Sequence, residues 1–470
     1  MRSRFVLAAL AALAALPVRA QEIAPPSGGC HYEIALADPE ARMLDVALAC
    51  AGDGPFALST YRFLTDAQIR DFRAASGSRL DKGQGAWVLK GAGGFARAAY
   101  RFDVDALARS TNSPALGQRV GGSVVATARS FLLLPEGGKT RMTLTLRFTT
   151  PPGAQVLTGL AAAGEAQRLD TADLDLIGFM AMGRLDVLSV PVEARGGAGT
   201  LTVAMLDGKR AIGNDEIQRW IGASAARIGA YFGGFPVKQA LIVLEPVPNL
   251  RYLRRGLVMG GGGATMLLRI GAETQAEDLF RQWMLMHELV HFAAPFIEGH
   301  TWLMEGMAVY VETRLRVAAG WFPEDQAWRG FMKNVRQGMP AMQRTGLAAA
   351  RGIGPVYWGG TLFMLLADAE IIEKSQGTKS LADCFQAVLD QGGDAAQRWS
   401  LERFIAVCDA ATGFGTMRRL AAAHTWKGSD LHLAPLWAKL GVQLTEYEAG
   451  VKYDDTAPLA WVRKKIMQGP

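Results

Sequence analysis

The 470-residue sequence predicts an α+β fold, with an all-β region first and a small sheet plus a mainly α-helical bundle after it. Two observations support this prediction. Up to about residue 205, apolar residues such as Leu144, Leu146 and Phe148 alternate with polar ones, which is the period of a half-buried strand. From Asn214 the apolar period becomes helical, interrupted by an apolar run at 241–244 that is typical of a buried strand.

Four segments are expected in chain order. Residues 1–20 carry Arg2 and Arg4, an apolar run and a small-residue end, which is typical of a secretory signal peptide. Residues 21–205 are predicted to form an N-terminal β domain, residues 206–430 a second domain that contains the motifs described below, and residues 431–470 a C-terminal extension. We therefore expect an exported protein, periplasmic or secreted and soluble after cleavage of the signal, with no stable membrane insertion.

The charge of the chain and its distribution limit the kinds of binding partner that we expect. The net charge is +6 and the pI about 9.1, yet Lys and Arg are scattered, with Arg254-Arg255 and Lys464-Lys465 the notable pairs. A nucleic-acid-binding protein would concentrate this charge in a patch or stripe, so nucleic acid is not expected as a partner. The sequence leaves the oligomeric state open.

Four cysteines fit an oxidising compartment. Cys30 and Cys50 lie in the β-rich part, and Cys384 and Cys408 lie on successive predicted helices. Because the exported context and sequence proximity favour local pairs, we expect the disulfides Cys30–Cys50 and Cys384–Cys408, with four unpaired buried thiols as the alternative.

The most informative motif is His287-Glu288-Leu289-Val290-His291. An H-E-x-x-H sequence on a helix places two imidazoles one turn apart on one face, an arrangement that suits zinc. The carboxylate between them lies beside the metal, where it can take a proton from a bound water and pass it to a leaving amine.

A third ligand is predicted further along the chain. Thirteen residues separate His291 from Glu305, which lies in a second apolar stretch of helical period. Two histidines and one glutamate leave a fourth zinc position open, as catalytic sites do. His287, His291 and Glu305 are therefore the predicted ligands of one Zn²⁺ per chain. His300 is a possible competing ligand, but it precedes the second helix and is left out of the set.

The sequence H-E-L-V-H followed by W-L-M-E-G-M-A-V-Y-V-E resembles the gluzincin metallopeptidases, whose catalytic domain is thermolysin-like. The resemblance implies that Glu305 is a zinc ligand and Glu288 the general base. It also implies that Glu312, seven residues after Glu305, is a carboxylate that orients one of the histidines. The alternative for Glu312 is a solvated residue on the helix surface.

A later segment is similar to the glycyl aminopeptidases, a family of gluzincins. Gly354-Pro355-Val356-Tyr357-Trp358-Gly359-Gly360 opens one helix, and a G-x-K-S-L-x-D sequence at 377–383 opens the next. The resemblance implies that the hydroxyl of Tyr357 donates to the oxyanion of the tetrahedral intermediate. Without it, Tyr357 would be interpreted as a core or rim aromatic residue.

The sequence departs from this family at two places. The segment before the zinc helix contains Gly260, Gly261, Gly262 and Gly263 but not the acid that related aminopeptidases use to hold a free amine. We expect these glycines to let a substrate backbone approach and pair with the strand edge, with a flexible hairpin tip as the alternative. The second departure is that 46 residues follow His424, which we expect to be too few for the PDZ module that members of the family commonly carry.

The predicted function is a zinc metallopeptidase that acts on a peptide or protein substrate. The family resemblance favours an aminopeptidase for small N-terminal residues, and an endopeptidase is the alternative. Two other classes of protein remain open: an inactive metal-binding homologue and a peptide-binding protein.

Overall fold

The computed structural model describes residues 25–59, 66–75, 77–83, 86–111, 113, 116–135 and 141–468. The predicted signal peptide, residues 1–20, lies outside these ranges. The described chain is α+β as predicted, with strands dominating to residue 206 and helices dominating after residue 271.

Before residue 184 the described chain is almost entirely β, with one short helix, α1 (Val104–Ser110). Its strands are β1 (Cys30–Leu36), β2 (Met43–Ala51), β3 (Phe56–Ser59), β4 (Ile69–Ala75), β5 (Arg79–Lys82), β6 (Trp87–Lys90), β7 (Phe95–Asp103), β8 (Gln118–Val120), β9 (Ser123–Thr127), β10 (Leu134–Pro135), β11 (Thr143–Thr149), β12 (Gln155–Thr158), β13 (Ala161–Ala163), β14 (Ala166–Asp170) and β15 (Phe179–Gly183). They form a seven-stranded sheet in the order β13-β14-β11-β1-β2-β7-β4 and two four-stranded sheets, β10-β3-β6-β5 and β12-β15-β9-β8.

The alternation seen in the sequence marks the buried face of the large sheet. Leu144 and Leu146 of β11 are buried in one core with Leu44 and Leu48 of β2. Between these two strands lies β1, which pairs with β11 in parallel and with β2 in antiparallel register. The strands predicted from period two are therefore confirmed.

Both predicted disulfides are present. Cys30 and Cys50 are opposite each other in the β1–β2 register and are joined, and Cys384 is joined to Cys408. The alternative of four unpaired buried thiols is therefore excluded.

A second, mixed sheet has the order β16-β17-β18-β20-β19. Its strands are β16 (Leu185–Ala194), β17 (Gly197–Leu206), β18 (Gln239–Val247), β19 (Leu253–Met259) and β20 (Ala264–Gly271). The predicted N-terminal domain, 21–205, thus ends within strands that pair with the following part of the chain. Because hydrogen bonding joins β17 to β18 in parallel register, we propose a domain boundary near residue 184.

Helices cover this sheet and form the largest core. They are α2 (Asn214–Phe232), α3 (Met284–His291), α4 (Thr301–Ala318), α5 (Glu324–Pro340), α6 (Gly359–Lys374), α7 (Leu381–Asp390), α8 (Leu401–Thr412), α9 (Thr416–His424), α10 (Ala434–Leu440) and α11 (Ala460–Met467). A two-stranded ribbon, β21 (Val442–Leu444) and β22 (Val451–Tyr453), lies between α10 and α11.

The predicted C-terminal extension, residues 431–470, is integrated into this core. Val462 and Ile466 of α11 are fully buried, and the guanidinium of Arg314 on α4 donates to the carbonyl of Ile466. We therefore propose that the second domain continues through α11.

Glycines allow α4 and α5 to pack closely against the start of α6. A Cβ at Gly360 would lie 1.9 Å from the carbonyl oxygen of Trp302 on α4, and one at Gly338 of α5 would lie 2.2 Å from the nitrogen of Gly359. Since real Cβ atoms do not approach so closely, these glycines let α4 and α5 approach the first turn of α6. The π-helical turn at Gly354–Trp358, which carries Tyr357, is held in place by this packing.

Candidate active site

Helix α3 carries the H-E-x-x-H motif on a buried segment. Leu285, Leu289 and Val290 anchor the helix in the core and are at most 1% exposed. His287 and His291 are one turn apart, and their Nε2 atoms are separated by 3.3 Å. The helix therefore points two imidazole nitrogens at one location, as the motif predicts.

Glu305 of α4 completes this group. Its Oε2 lies 3.2 Å from Nε2 of His287 and 3.6 Å from Nε2 of His291. Burial disfavours the charged carboxylate, but hydrogen bonds with His287 and His291 hold the pKa of Glu305 well below its usual range. Burial also lowers the pKa of His287, which favours the neutral imidazole that binds metals.

These three side chains fit zinc. Bonds of about 2.0–2.1 Å in a tetrahedral site place neighbouring ligand atoms about 3.3 Å apart. The three separations in this group, 3.3, 3.2 and 3.6 Å, are close to that value. Two nitrogens and one carboxylate oxygen are also the donor set of catalytic zinc sites. The ligand set predicted from the sequence is thus brought together.

Glu288 lies beside the ligands and is 7% exposed. Burial raises its pKa to about 7, and the charge of nearby Glu305 contributes to the increase. A carboxylate with a pKa near neutrality can both accept and return a proton. Gly256 of β19 makes room for it, since a Cβ there would lie 2.3 Å from Oε1 of Glu288.

Tyr357 is brought to the same place from a distant part of the chain. Its ring is parallel to the imidazole of His287, with centroids 5.9 Å apart. Burial raises the pKa of its phenol, and the charge of the neighbouring carboxylate of Glu305 adds to this effect. The hydroxyl therefore remains protonated at neutral pH and is available as a hydrogen-bond donor.

Glu312 does not make the predicted contact. Its carboxylate accepts hydrogen bonds from Thr313 at 3.0 Å and Arg316 at 3.3 Å, and Nδ1 of His287 has no hydrogen-bond partner among the described residues. The reason is local: Arg316 lies one helical turn after Glu312, so the shortest ion pair forms within α4. Glu312 is buried, and burial raises its pKa to about 7. The alternative of a solvated helix residue therefore does not apply either.

Aromatic rings hold His287 instead. The edge of His287 meets the ring of Trp283 with centroids 5.1 Å apart, and Tyr357 covers one face. The sequence analysis did not predict this role for Trp283. Its position four residues before His287, one helical turn away, was the signal that could have identified this contact.

One of the four glycines that were predicted to bind substrate lines the cavity of the site, and the other three do not. Gly260 lines the cavity beside the His287-His291-Glu305 group. The other three pack against the N-terminal β region, with the amide of Gly261 donating to Leu176 (2.7 Å) and the carbonyl of Gly262 accepting from Ala161 (3.2 Å). A Cβ at Gly263 would lie 1.7 Å from the carbonyl oxygen of Gly159. The segment is neither a flexible tip nor a four-residue substrate site.

The cavity over these groups has a volume of about 280 Å³. Edge strand β19 lines one wall through its residues 256–259, and residues of α3 and α4 line the opposite side. Among the described lining residues, the acids are Glu288 and Glu305. Glu273, the acid that follows β20, is not among these lining residues and forms a surface ion pair with Arg251 at 3.5 Å.

No family model matches this sequence, and no curated protein matches it. Several solved structures do match it. An aminopeptidase N family protein from Idiomarina loihiensis has a TM-score of 0.66 at 16% identity, covering 88% of this chain and 78% of that chain. An M1 zinc metallopeptidase from Deinococcus radiodurans, solved as a variant bound to a Tyr-Ser-Ala substrate, has a TM-score of 0.52 at 14% identity over 86% of this chain and 94% of that chain. A further structure of an M1 zinc metallopeptidase from Deinococcus radiodurans has a TM-score of 0.51 at 15% identity, covering 86% of this chain and 95% of that chain.

The chain has the two-domain fold of the M1 zinc metallopeptidases. The predicted α+β architecture is confirmed by this similarity. The finer resemblance to glycyl aminopeptidases stays a prediction. In the described residues, no helix is both long and apolar enough to cross a bilayer.

Proposed function

We propose that this protein is a zinc-dependent peptidase. The observation that carries the proposal is the meeting, in one cavity, of the His287-His291-Glu305 group with Glu288 and Tyr357. The fold is that of known zinc peptidases, and the site supplies the base and the oxyanion donor that peptide hydrolysis needs.

The open edge of the second sheet is the proposed binding surface for the substrate backbone. Strand β19 pairs with β20 on one side and lines the cavity on the other. Its free peptide groups can pair with an extended substrate, as in β-strand addition. Gly256 and Gly260 keep this edge free of side chains near Glu288.

Zinc held by His287, His291 and Glu305 would polarise the scissile carbonyl and activate a water. Glu288 accepts the proton of the attacking water and passes it to the leaving amine. Tyr357 donates its hydroxyl hydrogen to the oxygen that gains charge as the tetrahedral intermediate forms.

An aminopeptidase acting on small N-terminal residues is the first candidate, supported by the family resemblance and by the aminopeptidase N family protein that shares the fold. An endopeptidase is the second. One observation favours it: among the described lining residues, both acids already have roles at the metal site, so none is left to hold a substrate amine.

The deciding experiment combines metal analysis with cleavage of a peptide library. We expect zinc and peptide hydrolysis in the wild-type protein, and zinc without hydrolysis in Glu288→Gln, because Glu288 is a base and not a ligand. A zinc-loaded wild-type protein that cuts no peptide would instead be an inactive homologue. One that binds peptides tightly without cutting them would be a peptide-binding protein.

We also propose that the protein is exported. The signal-like pattern of residues 1–20 supports this location, as do the two disulfides, since disulfides persist in oxidising compartments.

A further inference from the structure

A second cavity also borders Tyr357. Its volume, about 450 Å³, exceeds the 280 Å³ of the cavity over the metal ligands. Helices α4 and α5 and the π-helical turn at Gly354–Trp358 enclose it, and Tyr357 lines both cavities. A group bound in the second cavity would therefore touch a residue of the proposed catalytic site.

The walls of this cavity are mostly large and apolar. They are formed by Trp283, Val309, Phe322, Phe331, Ile353 and Trp358. Two rim residues expose unusually large apolar surfaces: Ile353 is 75% exposed and Trp283 is 42% exposed. A concave apolar site with such a rim is typical of a binding pocket.

Three polar side chains of the cavity contact one another, and Nε of Arg316 has no hydrogen-bond partner among the described residues. Glu312 and Arg316 form an ion pair at 3.3 Å, each 7% exposed, and Thr313 donates to Glu312. With its acid and its base already paired, the pocket offers little to a charged ligand group. It favours an uncharged apolar one, because burying an unpaired charge there would be costly.

We propose that this cavity binds a bulky apolar side chain, aromatic or branched aliphatic, of the peptide residue next to the scissile bond. The inference rests on the proposed peptidase function and names its substrate class. The cavity shares Tyr357 with the site where the scissile carbonyl is bound, so a side chain beside that carbonyl can reach it. If this residue lies on the N-terminal side of the scissile bond, a preference for large residues replaces the expectation of small N-terminal ones that the family resemblance implies.

Gly330 provides a direct test. It lies in α5 on the cavity wall, and a Cβ built there has no atom within 4 Å. A phenylalanine at this position would therefore extend into the pocket and fill part of it. Gln326, on the exposed rim of the same helix, offers a second position for a bulky side chain.

The experiment uses fluorogenic peptides that differ only in the residue on either side of the scissile bond: Gly, Ala, Leu or Phe. For wild type we expect kcat/KM to favour Phe over Gly by about 10- to 100-fold at one of the two positions, the gain from burying such a side chain. Gly330→Phe and Gln326→Trp should reduce that ratio at least fivefold. Gly330→Ala should change it less than threefold, and Gln218→Phe, on the exposed face of α2, should leave it unchanged.

The ratio separates specificity from general damage, because a disturbed fold lowers kcat/KM for all peptides together. A wild-type ratio near one at both positions, or an unchanged ratio in both blocking variants, would overturn the inference. If wild type cuts none of the peptides, the peptidase proposal fails. Calorimetric binding of the Phe and Gly peptides to the wild-type protein and to Gly330→Phe then still tests the pocket, and equal affinities would refute it.

Discussion

The rings of Tyr357 and His287 are parallel, with an interplanar angle of 3° and centroids 5.9 Å apart. Seventy positions separate these residues in the sequence. The contact places the phenol beside the His287-His291-Glu305 group, close enough to Glu305 for that carboxylate to raise the pKa of the phenol. Tyr357, which without the family resemblance would be interpreted as a core or rim residue, is thus part of the proposed site.

The zinc ligands can be tested by metal content. His291→Ala and Glu305→Ala should each lose most of the zinc, because each removes one of three protein ligands. Glu288→Gln should keep about one zinc per chain. Full zinc occupancy of the purified His291→Ala protein, measured by atomic spectrometry, would show the assignment to be wrong.

The role of Tyr357 is tested by Tyr357→Phe. We expect kcat to fall by about 10- to 1,000-fold with little change in KM, since the hydroxyl acts on charge that develops in the transition state. The phenylalanine ring preserves the stacking on His287, so the melting temperature should change little. An unchanged kcat would show that Tyr357 only packs against the site and takes no part in the reaction.

Gly256 is predicted to be required for the position of Glu288. In Gly256→Ala the new Cβ would lie 2.3 Å from Oε1 and 2.3 Å from Cγ of Glu288, so that side chain must move. A displaced general base should lower kcat at least about tenfold while zinc is retained. A variant with full zinc and wild-type kcat would contradict this expectation.

Gly360 is predicted to be needed for stability. Its Cβ would lie 1.9 Å from the carbonyl oxygen of Trp302, so Gly360→Ala must push α6 away from α4. We expect the free energy of unfolding to fall by about 2 kcal/mol or more. Gly222→Ala on α2 is the matched control: its Cβ would meet Val190 at an ordinary 3.6 Å, and alanine is the better helix former, by about 1 kcal/mol. Equal stability of the two variants in urea unfolding would refute the prediction.

A preference for substrates with a free N-terminal amine is tested with one peptide, prepared with a free and with an acetylated N-terminus. Because the described acids of the metal-site cavity are Glu288 and Glu305, we expect nearly equal kcat/KM values for the two forms. A preference of more than about 30-fold for the free amine, which corresponds to roughly 2 kcal/mol, would reveal an amine anchor and establish the aminopeptidase.

Local chemistry explains which features were predictable. The spacing of His287 and His291 fixes their relative position because any helix places residues four apart on one face. The burial of Leu144 and Leu146 follows from the period of a strand in the same way. Local pairing of the cysteines was also correct, since Cys30 and Cys50 lie on two adjacent strands that pair directly.

Contacts between distant segments were decided by the tertiary structure. Alternation marks β16 and β17 as strands but does not say which sheet they join, and the boundary predicted at residue 205 separated them from their partner β18. Glu312 lies on the expected helix, yet Arg316 takes its carboxylate. Gly261 and Gly263 pack against the N-terminal β region, not against a substrate.

The amino-acid sequence by itself predicted the periodic elements, the disulfide partners and the His287-His291-Glu305 group. Periodicity and the spacing of the two histidines are local, and each cysteine pair is at most 24 residues apart. Only the tertiary structure decided that Tyr357 stacks on His287, that Gly256 makes room for Glu288, and that a large apolar cavity adjoins the site. These features arise where three or more elements pack together. Their positions depend on helix approach distances such as that at Gly360, which no local pattern specifies.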